Sequence, residues 1–406
     1  MPHFARWLLG EERLNAAREK AEKARLRQGR PHVVTWYHRA DDPHSHLLAQ
    51  ALPAFLERYP VELRCLTVAS PDTEAVRHPE LWQAWALRDA REVAPRHALP
   101  DGSVLKMPPG PATNIDAVHG ALEQADDYLT AAIRRGMAAW RGEPLDGPGP
   151  AAGRLESNRQ ELNDRGHYLS GMLHYEGEWY WGVDRLSWLE ERLAALGVGS
   201  GSTLSRVGGE RPATGQTLEM WVSVRSPYSY LALERAFALC QRFELTLKLR
   251  PVLPMVMRGI PAPRVKRMYI VADAKRVASR QGIDFGFICD PLGAGVERVL
   301  AWSLRAREHG LEPEFLLAAM RGVWAEGVEV ATDKGLRRIV ESVGLSWDAE
   351  AVRDDRWRDE VERNRQALTE RGLWGVPSFV LGDYVGWGQD RLYVLEDRLE
   401  VRARSS

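Results

Sequence analysis

Two halves of the chain repeat the same residue pattern, and this repeat constrains the fold more than any other feature of the sequence. Residues 42–47 (DPHSHL) match residues 226–231 (SPYSYL) at an offset of 184. Near the end of each half, residues 181–186 (WGVDRL) match residues 387–392 (WGQDRL) at an offset of 206. Matches in the same order predict two similar domains in tandem, of which the second is about 22 residues longer.

Length and local composition place the domain boundaries. At about 150 residues per domain, 406 residues correspond to two or three domains. A stretch rich in Gly, Ser and Pro lies between the repeated segments and is typical of a linker. The predicted order is a helical leader at 1–30, a first domain at 31–197, a linker at 198–217 and a second domain at 218–406.

Charge, hydropathy and cysteines exclude several protein classes. The net charge of -1 argues against a globally basic protein, so we expect no nucleic-acid partner. No apolar run approaches the roughly 20 residues of a membrane span, and we expect no signal peptide. The widely spaced Cys65, Cys240 and Cys289 include no C-x-x-C pair. This spacing excludes a disulfide framework and a dithiol pair, and it favours the cytoplasm.

The second half reads as an α/β domain with a helical insertion. We predict strands at 218–224, 244–250, 378–381 and 384–387, a helix from Ser226 to about Arg242, helices within 263–370 and a closing helix at 390–402. Ser226 is a good N-cap, and Pro227 suits the first helical position. The order is therefore β-α-β, a helical block, and β-β-α.

Four segments in this order resemble a known family. They are 226–231 (SPYSYL), 250–252 (RPV), 374–379 (WGVPSF) and 387–392 (WGQDRL). The second half resembles the DsbA-like branch of the thioredoxin superfamily, closest to 2-hydroxychromene-2-carboxylate isomerases and kappa-class glutathione transferases. The resemblance implies two tandem thioredoxin-like domains, each with an inserted helical subdomain. It also implies glutathione as cofactor and a small hydrophobic molecule as substrate.

The resemblance assigns the catalytic role to Ser226. Redox members of the superfamily carry Cys-Pro-x-Cys at this helix start, where this chain has Ser226 and Ser229, so dithiol exchange is disfavoured. A helix N-terminus lowers the pKa of a thiol placed against it. Ser226 is expected to donate its O–H to the glutathione thiolate, with Pro227 and Tyr228 flanking the thiol.

The remaining ligand contacts are implied on two other segments. Val376-Pro377 corresponds to the cis-proline of thioredoxin folds and would pair with the peptide backbone of the ligand. Gln389 and Asp390 would hold the γ-glutamyl end, with Asp390 against its ammonium group. Simpler roles stay open at this stage: Ser226 and Asp390 as helix caps, and Val376-Pro377 as a requirement of the fold.

The chain departs from the family at two places. The loop at 255–263 lacks the asparagine that supports the active centre of the family. In the first half, Asp42 stands at the serine position, Ser170-Gly171 at the Val-Pro position and Val183 at the glutamine position. Because a carboxylate repels a thiolate, we expect the first half to be a structural partner without glutathione chemistry.

A dense polar set surrounds the same point of the first half. It comprises His38, Asp41, Asp42, His44 and His46. Metal binding needs ligands that converge with fixed geometry, and the set lies on one turn and helix start. We therefore predict a solvated helix start and no metal site.

Three functions remain in competition. The first is a glutathione-dependent isomerase or transferase, with Met255, Met257 and Trp324 as walls of an apolar pocket. The second is a non-catalytic interaction protein, in which the two domains form an intrachain pseudo-dimer. The third is a DsbA-family thiol oxidoreductase, which requires a reactive cysteine near Pro377.

Overall fold

The computed structural model describes most of the chain as two compact units. It describes residues 10–71, 76, 78–97, 114–202 and 215–404. One unit is Ala16–Val207, which we call the N-terminal unit. The other comprises Met1–Asn15 together with Gly208–Ser406, and we call its Gly208–Ser406 part the C-terminal unit. Each unit contains one four-stranded sheet. Among the described helices, none is long and apolar enough to cross a membrane.

The N-terminal unit combines a mixed four-stranded sheet with α-helices. Its elements are α1 (Glu11–Arg27), β1 (Val33–His38), α2 (Pro43–Arg58), β2 (Glu62–Thr67), α3 (Pro79–Val93), α4 (Ile115–Glu123), α5 (Tyr128–Trp140), α6 (Arg154–Asp164), β3 (Met172–Tyr175), β4 (Glu178–Trp181) and α7 (Leu186–Ala195). The strand order is β2-β1-β3-β4. Strands β1 and β2 are parallel, while β3 is antiparallel to both of its neighbours.

The C-terminal unit repeats this order with a larger helical insertion. Its elements are β5 (Thr217–Val222), α8 (Pro227–Phe243), β6 (Thr246–Pro251), α9 (Arg264–Gln281), α10 (Ala294–Glu308), α11 (Glu312–Trp324), α12 (Asp333–Ser342), α13 (Trp357–Glu370), β7 (Ser378–Leu381), β8 (Tyr384–Trp387) and α14 (Leu392–Arg404). The strand order is β6-β5-β7-β8, again with one parallel pair. The predicted β-α-β, helical block and β-β-α order is present.

Contacts also recur at the offsets of the sequence repeat. The recurring pairs are Arg58–Glu190 and Arg242–Glu396, His44–Asp89 and Tyr228–Asp273, and the hydrogen bonds from Gly182 N to Gly171 O and from Gly388 N to Pro377 O. Each pair joins the same two elements in its own unit. The two halves therefore share contacts as well as strand order.

The helical leader is tied to the N-terminal sheet. Arg18 of α1 donates to both carboxylate oxygens of Glu178 in β4, at 2.7 and 2.8 Å. Arg25 is buried and bonds to Glu22 and to the Arg30 carbonyl. The segment predicted as a helical leader therefore contains a helix that an ion pair holds to β4.

The start of the predicted linker at 198–217 packs on the N-terminal unit. The Tyr59 hydroxyl donates to the Gly201 carbonyl at 2.6 Å, and Val198 packs against the hydrophobic core. Strand β5 begins at Thr217, where the prediction placed the last linker residue. Residues 203–214 lie outside the described residues.

Candidate functional site

Four loops of the C-terminal unit meet at one edge of its sheet. Val222 pairs with Pro251 at the carboxyl ends of the parallel strands β5 and β6. Trp221 lies opposite Ser378, the first residue of β7, and Ser378 lies opposite Trp387, the last residue of β8. The segments after β5, after β6, before β7 and after β8 therefore emerge side by side, as in other α/β folds with sites at strand ends.

This edge gathers the predicted site segments. Ser226 follows β5, Val376–Pro377 immediately precedes β7, and Gln389–Asp390 follows β8. The Val376–Pro377 peptide bond is cis. The Gly388 amide donates to the Pro377 carbonyl at 2.8 Å, which joins two of these segments directly.

Ser226 is the N-cap of α8, and its hydroxyl retains a donor. The Ser226 Oγ accepts the Ser229 backbone N–H at 3.1 Å, and Pro227 follows in the first helical turn. A hydroxyl has one O–H donor besides its two acceptor positions. Among the described residues, the Ser226 hydroxyl makes no other hydrogen bond. The cap is thus real, and it is compatible with O–H donation to a ligand.

Ser229 stabilises the turn that presents the cap. Its side chain is fully buried, and its Oγ accepts the Ser223 backbone N–H at 3.3 Å. The equivalent Ser45 accepts the Arg39 N–H at 3.1 Å in the N-terminal unit. Both units therefore use a buried serine to fix the loop between strand and helix.

The Tyr228 hydroxyl is committed to the helical subdomain. It donates to Asp273 Oδ2 of α9 at 2.8 Å, and Asp273 is only 1% exposed. In the N-terminal unit His44 Nε2 approaches Asp89 Oδ2 at 3.1 Å. Because the contact recurs at the repeat offset, Asp273 joins α9 to α8 as Asp89 joins α3 to α2, and the Tyr228 hydroxyl is engaged in that contact.

Gln389 and Asp390 occupy a 3-10 turn ahead of the closing helix. The turn covers Gln389–Arg391, and the helix begins at Leu392 rather than at Asp390 as predicted. The Gln389 side-chain amide donates to the Asp390 carboxylate. Since Arg391 separates Asp390 from the helix, Asp390 does not have the N-cap position that the simpler interpretation requires.

Sequence reasoning missed Arg235, which contacts Gln389. One Arg235 nitrogen, Nη1, donates to the Gln389 carbonyl at 3.0 Å and to Gln389 Oε1 at 3.2 Å. At the repeat offsets, Ala51 replaces the arginine and Val183 replaces the glutamine. This joint replacement was the available signal for a pair of interacting residues.

Trp324 adjoins the loop that leads to Ser226. Its indole N–H donates to the Val224 carbonyl at 3.1 Å, and its ring stacks on Phe285 with centroids 5.8 Å apart. Met257 instead packs against a cluster of the helical subdomain that includes Val296. The predicted apolar wall therefore has Trp324 beside the site segment, while Met257 contributes to packing of the helices.

Asn364 supports the end of β6 next to the loop that lacks the family's asparagine. It is 4% exposed, and its Nδ2 donates to the Pro251 carbonyl at 3.0 Å. Its Oδ1 accepts from Arg250 at 3.3 Å.

The loop at 255–263 begins with a 3-10 turn. The predicted wall residue Met255 starts this turn, which ends at Arg258. Burial lowers the pKa of Arg258.

At the corresponding edge of the N-terminal unit, side chains of the unit itself form the hydrogen bonds of the helix start. Asp42 caps α2 by accepting the His44 N–H at 3.0 Å. Its other oxygen accepts from the Ser170 hydroxyl at 2.6 Å. Gly171, at the position of Pro377, has a φ of +68°. The carboxylate thus supplies internally the negative charge that a helix N-terminus favours.

The prediction of a solvated helix start in this unit is wrong. His38 and His46 are 0% and 1% exposed. Burial lowers the pKa of His46 to about 4, and burial together with neighbouring His119 and His46 lowers that of His38. The described residues contain no group of three or more His, Cys, Asp or Glu side chains able to hold a metal ion.

The three cysteines are free and are not activated. Burial raises the pKa of Cys65 to about 12 and that of Cys240 to about 11. Burial also raises the pKa of Cys289. A thiol with a raised pKa is a poor nucleophile near neutral pH.

Comparisons with known proteins cover the C-terminal half. Residues 217–400 match the DSBA-like thioredoxin domain family. A 2-hydroxychromene-2-carboxylate isomerase of Sphingobium xenophagum is 28% identical over 196 residues, which are 45% of this chain and 98% of the isomerase. The isomerase of Pseudomonas putida is 28% identical over 194 residues, 45% of this chain and 93% of its own.

Solved structures match about half of the chain. That of a 2-hydroxychromene-2-carboxylate isomerase has 24% identity and a TM-score of 0.41, with 47% of this chain and 97% of the isomerase covered. The cytosolic disulfide reductase DsbM of Pseudomonas aeruginosa has 18% identity and a TM-score of 0.35, with 47% and 100% covered. From the family match and the sequence identities, residues 217–400 form a DsbA-like thioredoxin domain with homology to 2-hydroxychromene-2-carboxylate isomerases.

Proposed function

We propose that the C-terminal unit binds glutathione and acts as an isomerase or transferase on a small hydrophobic molecule. The observation that carries the proposal is Ser226, a helix cap whose hydroxyl keeps a donor for a ligand. The homology to 2-hydroxychromene-2-carboxylate isomerases over 196 residues supports it. A cytoplasmic setting, predicted from the cysteines, belongs to the same proposal.

The residues present fit glutathione by charge and by hydrogen-bonding character. Ser226 offers an O–H, and the first turn of α8 offers a partial positive charge to a sulfur anion. Asp390 offers a carboxylate to an ammonium group. When bound, glutathione supplies a thiol whose ionised form is a reversible carbon nucleophile.

The chain's own residues have distinct roles in this proposal. Ser226 and the α8 N-terminus stabilise negative charge on sulfur. The Val376 backbone pairs with the ligand peptide, and Asp390 holds the amino end. Trp324, whose indole N–H donates to the Val224 carbonyl beside Ser226, would line one side of the substrate space.

Isothermal titration with glutathione tests the proposal. We expect millimolar or tighter binding to the full chain, weakened at least tenfold in Ser226→Ala and in Asp390→Ala. Asp184→Ala is the matched control, because Asp184 is the equivalent residue of the N-terminal unit. No binding to the wild type at millimolar ligand, or equal binding to all variants, would contradict the proposal.

We further propose that the two halves arose by tandem duplication, with the N-terminal unit retained as a thioredoxin-like structural partner. The shared strand order and the three recurring contact pairs support this. The Asp42–Ser170 contact favours the structural role, because it satisfies the helix start internally. Glutathione binding at one site per chain is the expected result.

Thiol oxidoreductase activity is disfavoured by the raised pKa values of the cysteines. We expect no reduction of insulin disulfides by the protein with dithiothreitol as electron donor, measured against the donor alone. Catalysed insulin precipitation that is lost in a Cys289→Ser variant would instead favour the oxidoreductase.

A further inference from the structure

We infer that Arg235 is a positioning residue that acts through Gln389 to hold the Asp390 carboxylate toward the amino group of the ligand. The inference rests on the proposed binding of glutathione by the C-terminal unit. Arg235 lies on α8, the helix that Ser226 caps. It therefore connects the helix that faces the thiol with the turn that faces the amino end.

The three side chains form a directed chain of hydrogen bonds. Arg235 donates to Gln389 Oε1, and the Gln389 amide nitrogen donates to the Asp390 carboxylate. A guanidinium only donates and a carboxylate only accepts, so the amide has one satisfactory orientation between them. The second Arg235 bond, to the Gln389 carbonyl at 3.0 Å, fixes the backbone of the same turn.

Burial makes this orientation restrictive. Gln389 is 1% exposed, so water does not compete for its amide group. A buried polar group that loses its partner keeps its desolvation cost without a compensating hydrogen bond. Loss of Arg235 would therefore remove the contact that orients the Gln389 amide toward the Asp390 carboxylate.

The N-terminal unit shows that the fold does not require this chain of contacts. Ala51 stands at the position of Arg235 and Val183 at that of Gln389, and both are buried. Asp184 keeps the position of Asp390. Both polar residues are replaced by apolar ones in the unit where Asp42 occupies the Ser226 position. Arg235 and Gln389 therefore occur together with the candidate site, whereas the sheet forms without them.

The test compares reduced glutathione with its des-amino analogue, glutaryl-cysteinyl-glycine, by isothermal titration. The variant R235A/Q389V carries the residues of the N-terminal unit, which this strand order accommodates. Wild type should prefer glutathione at least tenfold. R235A/Q389V should bind the two ligands with Kd values within about twofold, and R235K should keep part of the preference.

A control variant separates positioning from general stability. Arg242→Ala also removes an ion pair between α8 and the closing helix α14, to Glu396 and Glu400, and should keep the tenfold preference. Circular dichroism checks that each variant is folded. R235A/Q389V could keep the preference for glutathione over the des-amino analogue, even with both affinities weakened equally. That result would overturn the positioning role of Arg235 and leave the proposed function standing. No glutathione binding by the wild type would overturn the proposed function and this inference together.

Discussion

At the start of α2 the N-terminal unit carries Asp42, and at the start of α8 the C-terminal unit carries Ser226. Both residues cap their helix through a side-chain oxygen. The carboxylate also neutralises the helix end and accepts from Ser170, whereas the serine leaves the positive end available and adds an O–H. One residue therefore distinguishes a helix start that is satisfied by its own unit from the helix start at which we propose a thiolate site.

The largest expected effect comes from exchanging these two residues. Ser226→Asp keeps a good cap but places a carboxylate where we propose that the glutathione thiolate binds. Two like charges about 4 Å apart repel by about 4 kcal/mol at an effective dielectric constant of 20, close to a thousandfold loss of affinity. Titration calorimetry with glutathione measures this loss.

Asp42→Ser is the reciprocal variant in the N-terminal unit. It should leave the stoichiometry at one glutathione per chain, because Gly171 and Val183 still replace the other ligand contacts. A Ser226→Asp protein that binds as tightly as wild type would break the comparison. A second binding site gained by Asp42→Ser would also contradict it.

The equivalent positions Gly171 and Pro377 provide the next contrast. Gly171 has a φ of +68°, and its N–H donates to the Tyr37 carbonyl at 2.9 Å. Proline fixes φ near −65° and has no N–H, so Gly171→Pro should lower the free energy of unfolding by about 3 kcal/mol. Urea unfolding measures the change.

Gly171→Ala keeps the N–H and should cost about half as much. An alanine Cβ would lie 3.3 Å from the Ser45 nitrogen, so part of the cost is steric. If neither substitution changed the free energy of unfolding, the N-terminal unit would tolerate at position 171 the proline that the C-terminal unit has at 377. The two units would then not differ in their backbone requirement at this position.

The units should also differ in their response to acid. Ten of the eleven histidines precede residue 200, and residues 208–406 contain only His309. Burial lowers the folded-state pKa of His46 to about 4, below the unfolded value near 6.5. The unfolded chain therefore binds protons first, and stability is lost as pH falls from about 6.5 toward 4.

The expected cost for His46 alone is about 2 kcal/mol between pH 7.5 and pH 5. Hydrogen exchange read by mass spectrometry, corrected for the intrinsic pH dependence of exchange, reports each unit separately. Protection should fall more in the N-terminal unit. His46→Met should remove about 2 kcal/mol of this difference, and equal losses in both units would refute the explanation.

The smallest expected effect concerns Tyr228. Tyr228→Phe removes the hydrogen bond to buried Asp273 and should lower the free energy of unfolding by about 1 kcal/mol. Because the hydroxyl is committed to Asp273, the Kd for glutathione should change less than threefold. A tenfold weaker affinity with unchanged stability would assign the hydroxyl to the ligand instead.

Local patterns allowed much of the C-terminal unit to be predicted. The strands 378–381 and 384–387 were predicted at their observed bounds, and Ser226-Pro227 predicted the helix start. These features depend on neighbours in the chain. The 3-10 turn before α14 was missed, because a turn and the first helical turn share the same residue preferences.

Long-range packing explains what the sequence did not reveal. His38 and His46 look exposed among polar neighbours, but α4 and α5 cover them, with His119 and Gly136 close by. Arg235 looks like any surface arginine of an amphipathic helix. Its contact with Gln389 spans 154 positions, and only the joint change to Ala51 and Val183 hints at it.

The pKa of the bound thiol tests the central claim most directly. The ultraviolet absorbance of the thiolate, followed against pH with glutathione bound, gives this value for the wild type and for Ser226→Ala. We expect a pKa at least one unit below that of free glutathione in the wild type, and partial return toward the free value in the variant. A thiol pKa that is unchanged on binding, or equally lowered in both proteins, would contradict a role for the Ser226 hydroxyl at the start of α8.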